Sequence, residues 1–136
     1  MRKRTRAREI ALQALYQLDA QGKPGLSTVA AFVHDRAGAD TELEMFASRI
    51  LEGTTGHLEE IDGVIRKATE NWDIERMARI DRNILRMAVY EMLHETDIPA
   101  KVSINEAIEM GKRFSTAHSG SFINGILDRV RRDNEL

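Results

Sequence analysis

Hydrophobic positions recur at helical spacing along nearly the whole chain, and no stretch alternates long enough to predict a strand. Ala7, Ala11, Ala14, Leu15 and Leu18 form one apolar stripe, with Arg6, Glu9, Gln13 and Gln17 on the opposite side. The run Gln21-Gly22-Lys23-Pro24-Gly25 breaks this first helix. Val29, Phe32 and Val33 predict a short second helix from about Ser27 to Arg36, ended by Gly38. Thr41 with Glu44 reads as a capping box ahead of a third stripe, Leu43, Phe46, Ile50 and Leu51, with an interruption or kink expected at Gly53 to Gly56. Leu58, Ile61, Ile65, Ala68 and Trp72 give a fourth helix a narrow seam. Asp73 is placed to cap a longer fifth helix carrying Ile74, Met77, Ile84, Leu85, Ala88 and Met92, broken near Arg79 to Asp81 and stopped by Asp97-Ile98-Pro99. Ser103 with Glu106 reads as a second capping box, with Val102 stapled onto Ala107, and opens a sixth helix that runs to Phe114. Phe122, Ile123, Ile126, Leu127 and Val130 mark the last. The pattern predicts an all-α protein of about seven helices.

A length of 136 residues suits one domain with a core that needs no metal or disulfide support. Charge changes the picture more than composition does. Five of the 20 basic residues, Arg2, Lys3, Arg4, Arg6 and Arg8, fall in the first eight positions, and all 22 acidic residues lie beyond them. A basic arm running into a helix suits a polyanion, because cations that displace condensed counterions from phosphates gain salt-sensitive affinity. RNA is the first partner this suggests; a solvated, frayed terminus is the alternative. Gln13 offers base-edge hydrogen bonds, and Tyr16 a face on which an unpaired base stacks, the alternative being a half-buried boundary residue. Near Ser119 the start of the last helix presents backbone N–H groups that suit a phosphate, with Ser119 or Ser121 as N-cap.

Other chemistry is poorly supported. The absence of cysteine removes disulfides, thiolate metal sites and cysteine nucleophiles. His34, His57, His94 and His118 make no i, i+4 pair, so no metal site is expected. No phosphate-binding glycine loop and no Gly-x-Ser-x-Gly element occurs. Glu59, Glu60, Asp62, Glu91 and Glu95 read as solvated helix faces, so neither catalysis nor a cofactor is expected. With no run of 18 apolar residues and no secretory leader pattern, the expected location is the cytoplasm.

Three segments are more specific: Arg6-Ala7-Arg8-Glu9-Ile10-Ala11-Leu12-Gln13-Ala14-Leu15-Tyr16, Asp81-Arg82-Asn83-Ile84-Leu85-Arg86-Met87-Ala88-Val89-Tyr90-Glu91-Met92, and the stretch from Pro99 to Asp128. In that last stretch Ile104-Asn105-Glu106-Ala107-Ile108-Glu109 is followed by Lys112-Arg113-Phe114 and Phe122-Ile123-Asn124-Gly125-Ile126-Leu127-Asp128. Together they closely resemble the NusB family of bacterial transcription antitermination factors, over essentially the whole chain. The resemblance implies two packed three-helix units, about 1–70 and 71–136, within one domain. It implies a non-catalytic role in which the protein pairs with NusE, a small-subunit ribosomal protein, binds boxA RNA, and helps assemble an RNA polymerase complex resistant to termination on ribosomal RNA operons. RNA contacts are then expected from Arg2, Lys3, Arg4, Arg6, Arg8, Gln13, Tyr16 and Ser119, and partner contacts from Glu75, Asp81, Phe114, His118 and Phe122. At 118 the chain departs from the family, where an acidic residue is familiar. Asn105, Glu106, Asn124 and Gly125 are expected to be structural, with Gly125 allowing close helix approach. The alternatives are a helical homo-oligomer using the same surfaces, and a relative of the RNA-binding domain of ribosomal RNA cytosine methyltransferases, expected here without the catalytic domain.

Overall fold

A computed structural model describes residues 2–21, 26–70 and 72–136. Among them are seven α-helices and no strand: α1 (Lys3–Gln21), α2 (Leu26–Ala37), α3 (Thr41–Gly56), α4 (Leu58–Ala68), α5 (Arg79–His94), α6 (Ala100–Phe114) and α7 (Ser119–Asp133), with a 3-10 turn at Ile74–Arg76. The break expected after Gln21 involves residues 22–25, which lie outside the described residues.

Several helix ends differ from the sequence reading, each for a local reason. The cap of α3 is Asp40, whose Oδ1 accepts from the Leu43 N–H at 3.1 Å, one residue before Thr41; Glu44 turns instead to His34. Gly38, at φ 65°, makes the turn between α2 and α3 in the left-handed region. Helix α3 runs on through Gly53 to Gly56, and Gly53 is there because the Tyr90 ring lies where a Cβ would project. Helix α4 ends at Ala68, so Trp72 falls beyond its seam and is 56% exposed. Asp73 caps the 3-10 turn, accepting from the Glu75 N–H at 3.0 Å. The chain then bends at Met77 and Ala78, and Arg79 to Asp81 form the first turn of α5. Helix α6 starts at Ala100 after Pro99, three residues ahead of the expected cap, and encloses Ser103 and Glu106. Val102 is exposed, as are Asn124 and Gly125, and space around Gly125 is open. The close approach of α6 and α7 is at Gly111, where a Cβ would stand 2.7 Å from Ile123 Cδ1.

Helix α5 is the hub. It packs on α1, α3, α4, α6 and α7, and buries Ile84, Leu85, Met87 and Val89 completely. Helix α1 packs on α2 and α3, while α4 lies against α5 and α7. One hydrophobic core runs through all of them.

Ionic pairs sew this core together, and they correct the reading of the acidic residues. Glu91 is 1% exposed, and both its oxygens accept from Arg8 (Nε at 2.9 Å, Nη2 at 2.8 Å), with Ser103 Oγ donating at 3.0 Å. Asp62 receives two hydrogen bonds from Arg86. Glu95 accepts from Tyr90 Oη at 2.7 Å and pairs with Arg49. These three carboxylates look solvated in a one-helix projection because the cation that pairs with each arrives from another helix: Arg8 of α1, Arg86 of α5 and Arg49 of α3. Asp19, at the end of α1, is held by Arg82, Asn83 and Arg86 of α5. Burial alone would push its carboxyl up; the hydrogen bonds from Arg82 and Asn83 and the two guanidinium charges outweigh that and hold it below the ordinary carboxylate value.

Candidate nucleic-acid and partner interface

At about 100° per residue, Arg2, Arg6, Gln13, Tyr16 and Gln17 fall on one side of α1. Arg2 already follows the helix path, its carbonyl accepting from the Arg6 N–H at 3.0 Å. Lys3 and Arg4 lean the other way, toward α3: Lys3 pairs with Asp40 and Glu42, and Arg4 lies 4.5 Å from the centre of the Phe46 ring. All four of these cations are exposed, and Arg2, Arg4 and Arg6 enter no ion pair among the described residues. Arg8 is different. It is 2% exposed and committed to Glu91, with Glu106 3.5 Å away. Burial would lower its pKa, but the Glu91 hydrogen bond and the charges of Glu91 and Glu106 raise it above the ordinary arginine value. Arg8 is therefore a core cation, unavailable to a phosphate.

Gln13 and Tyr16 open onto a groove of about 830 Å³. Its walls are Gln17 beside them, Phe32 and Arg36 of α2, Ala78 to Ile80 at the start of α5, and Phe114 at the end of α6. Tyr16 is 40% exposed, with the Arg79 guanidinium 5.9 Å from its ring centre; Arg36 lies 4.8 Å from that of Phe32. Aromatic faces for stacking, amides for base edges and guanidinium groups for phosphates thus share one concave surface. Gln17, Phe32, Arg36 and Arg79 were not singled out from the sequence. Gln17 carried a signal, four residues after Gln13 on the same face. Phe32 and Arg36 carried none, because their place depends on how α2 crosses α1.

Next to the groove, sharing Ala78 with it, is a smaller hollow of about 290 Å³. It is lined by Trp72, Arg76, Met77, Asp81, Thr116, His118, Ser119 and Phe122. Three of the five residues expected to meet a protein partner therefore converge here, and Phe114 stands on the groove side. Phe114 and Phe122 are each 38% exposed; Glu75 is exposed in the 3-10 turn, where its carbonyl accepts from Arg82 Nη1 at 3.2 Å. Asp81 is buried at the floor, and its Oδ1 finds no donor among the described residues. Ser119 is not an N-cap and does not face solvent: it is the first residue of α7, 2% exposed. Its Oγ accepts from the Thr116 N–H at 3.2 Å and lies 3.3 Å from Asp81 Oδ2. It orders the hollow from behind, and direct contact with a phosphate is closed to its side chain.

Residues 5–132 match the model of the NusB family. The chain is 46% identical to the transcription antitermination protein NusB of Anaeromyxobacter sp. (strain Fw109-5), over 94% of this chain and 89% of that one. Among solved structures, T. maritima NusB is 36% identical and superposes with a TM-score of 0.86, covering 96% of this chain and 91% of that one. A chain from the structure of the antitermination factors NusB and NusE in complex with dsRNA is 25% identical, with a TM-score of 0.88 and 98% of both chains covered. The helical order, the α1 face and the motifs of α6 and α7 therefore have one common explanation: the chain belongs to the NusB family of transcription antitermination proteins.

Proposed function

We propose that this protein is a non-catalytic, cytoplasmic antitermination factor that binds boxA-type RNA jointly with NusE and promotes processive transcription of ribosomal RNA operons. The observation that carries this reading is the continuity of two chemically different surfaces. The groove of Gln13, Tyr16, Arg36 and Arg79 suits unpaired bases and phosphates, and the adjoining hollow, with a buried carboxylate among Trp72, Met77 and Phe122, suits a protein side chain that ends in a donor. Arg2 and Arg6 extend the groove along α1, so an RNA strand follows the helix toward its N-terminus. In the hollow, Asp81 Oδ1 offers a buried acceptor to a donor from the partner, flanked by the apolar edges of Phe122 and Trp72. His118 lines the hollow where the resemblance implies an acid, so a charge-based contact with a basic partner is not carried over to this position.

The test is a titration of fluorescent boxA-like RNA, with a scrambled strand and a duplex of the same sequence as controls, with and without NusE. Preference for the boxA-like strand that tightens with NusE is expected; equal, weak binding to all three RNAs would sink the proposal. Mass measurement of the free protein separates this reading from self-association through Phe114 and Phe122.

A further inference from the structure

We propose that His57, Glu60 and His94 form a binding site for a divalent metal of the zinc class, clasping the start of α4 to the end of α5. Local spacing argued against a metal, since no two histidines sit four residues apart; the fold supplies the missing neighbour from another helix. One ligand atom from each residue can be chosen so that all three lie within 4.8 Å of one another. Tetrahedral zinc with bonds of about 2.1 Å spaces its ligand atoms about 3.4 Å apart, so modest side-chain rotations complete the geometry.

The two imidazoles are already oriented. His57 Nδ1 lies 2.9 Å from the Gly53 carbonyl oxygen, which only accepts; the hydrogen is therefore on Nδ1, and the Nε2 lone pair is free for a metal. The His94 ring stacks on that of His57, with centroids 4.0 Å apart and planes at 28°, and the Tyr90 ring backs His94 at 5.6 Å. His94 Nε2 is 2.6 Å from Glu60 Oε1, a bond in which the metal takes the place of the shared proton. His57 and Glu60, three residues apart at the head of α4, face the same way. Two imidazoles and one carboxylate suit Zn²⁺, Co²⁺ or Ni²⁺ better than Mg²⁺ or Ca²⁺, which favour all-oxygen shells. All three residues are exposed, leaving room for water as a further ligand. His94 is fifteen helical steps from Arg79, about 22 Å along α5, so this site is distinct from the groove beside Tyr16.

The experiment is calorimetric titration of the chelator-treated full chain with zinc chloride at pH 7.5, paired with thermal unfolding. One equivalent is expected to bind, and a hundred-fold excess over Kd should raise Tm by about 5 °C or more. His57→Gln and His94→Ala should each weaken binding at least ten-fold while keeping the helical circular dichroism of the metal-free protein. His34→Ala should bind as the parent does, and magnesium chloride should give no shift. Absence of stoichiometric zinc binding, or binding that survives both histidine substitutions, overturns the proposal.

Discussion

Arg8 shows how a residue's type and its role part company. In the sequence it is one of five clustered cations, but helical phase turns it inward, where it neutralises Glu91 in the core. Arg8→Ala leaves that carboxylate buried and unpaired, so urea unfolding should show a loss of about 3–5 kcal/mol. Arg2→Ala with Arg6→Ala should instead flatten the dependence of log K for RNA on log salt by about 1.4 and leave stability nearly unchanged, at about 0.7 per phosphate contact. A flattened slope from Arg8 substitution in folded protein, or none from Arg2 and Arg6, would contradict this assignment. The arm as a whole was legible from charge density alone. Which cations face solvent was not, because that depends on Glu91, which lies 83 residues away. Asp19 gives a pH signature. Its folded-state pKa lies below the unfolded value of about 3.9, so its contribution is present above that pH and is lost as pH falls through the lower folded value. The stability gap between the parent and Asp19→Asn should therefore be full at pH 7 and shrink once the pH drops below about 4, as read by denaturant titrations at each pH.

At the scale of elements, helix existence followed from apolar spacing, while several boundaries and caps moved. Asp40 displaced Thr41 because either is a good cap and only backbone direction decides between them. Ser103 and Glu106 resemble a capping box in sequence, but Pro99 starts α6 earlier and turns both toward α1 and α5: Glu106 accepts from Thr5 Oγ1 at 2.7 Å, and Ser103 donates to Glu91. The contact of α3 with α5 through Gly53 and Tyr90 had no local signature beyond a glycine in an otherwise helical pattern. Gly53→Ala overpacks it and should cost about 1–3 kcal/mol in thermal or urea unfolding, with Gly63→Ala on the open side of α4 as the tolerated comparison. Burial, reinforced by the bond to Glu95, pushes the Tyr90 phenol up to about 12. Because the raised value favours the neutral form, its stabilisation holds below pH 10 and is lost between about 10 and 12. Absorbance at 295 nm should show one of the two tyrosines ionising near pH 12, and Tyr90→Phe should remove that step.

For the whole molecule, the single core and the ties Arg8 to Glu91 and Asp19 to Arg82 cross the expected division near residue 70. A fragment of residues 1–70 loses both partners and should show little cooperative unfolding by circular dichroism, whereas the full chain should melt in one transition. The groove and the hollow could not be read from the sequence as neighbours, since they are assembled from α1, α2, α5, α6 and α7. They meet at Ala78, the residue that lines both. So narrow a divide allows an RNA in the groove and a protein in the hollow to touch each other as well as the shared wall. Favourable contact across it makes their binding reciprocal: whatever factor NusE adds to RNA affinity, RNA must return to NusE. Enlarging the divide with Ala78→Leu should then erode that shared factor more than either ligand's separate affinity, making the smallest side chain of the interface a determinant of its cooperativity.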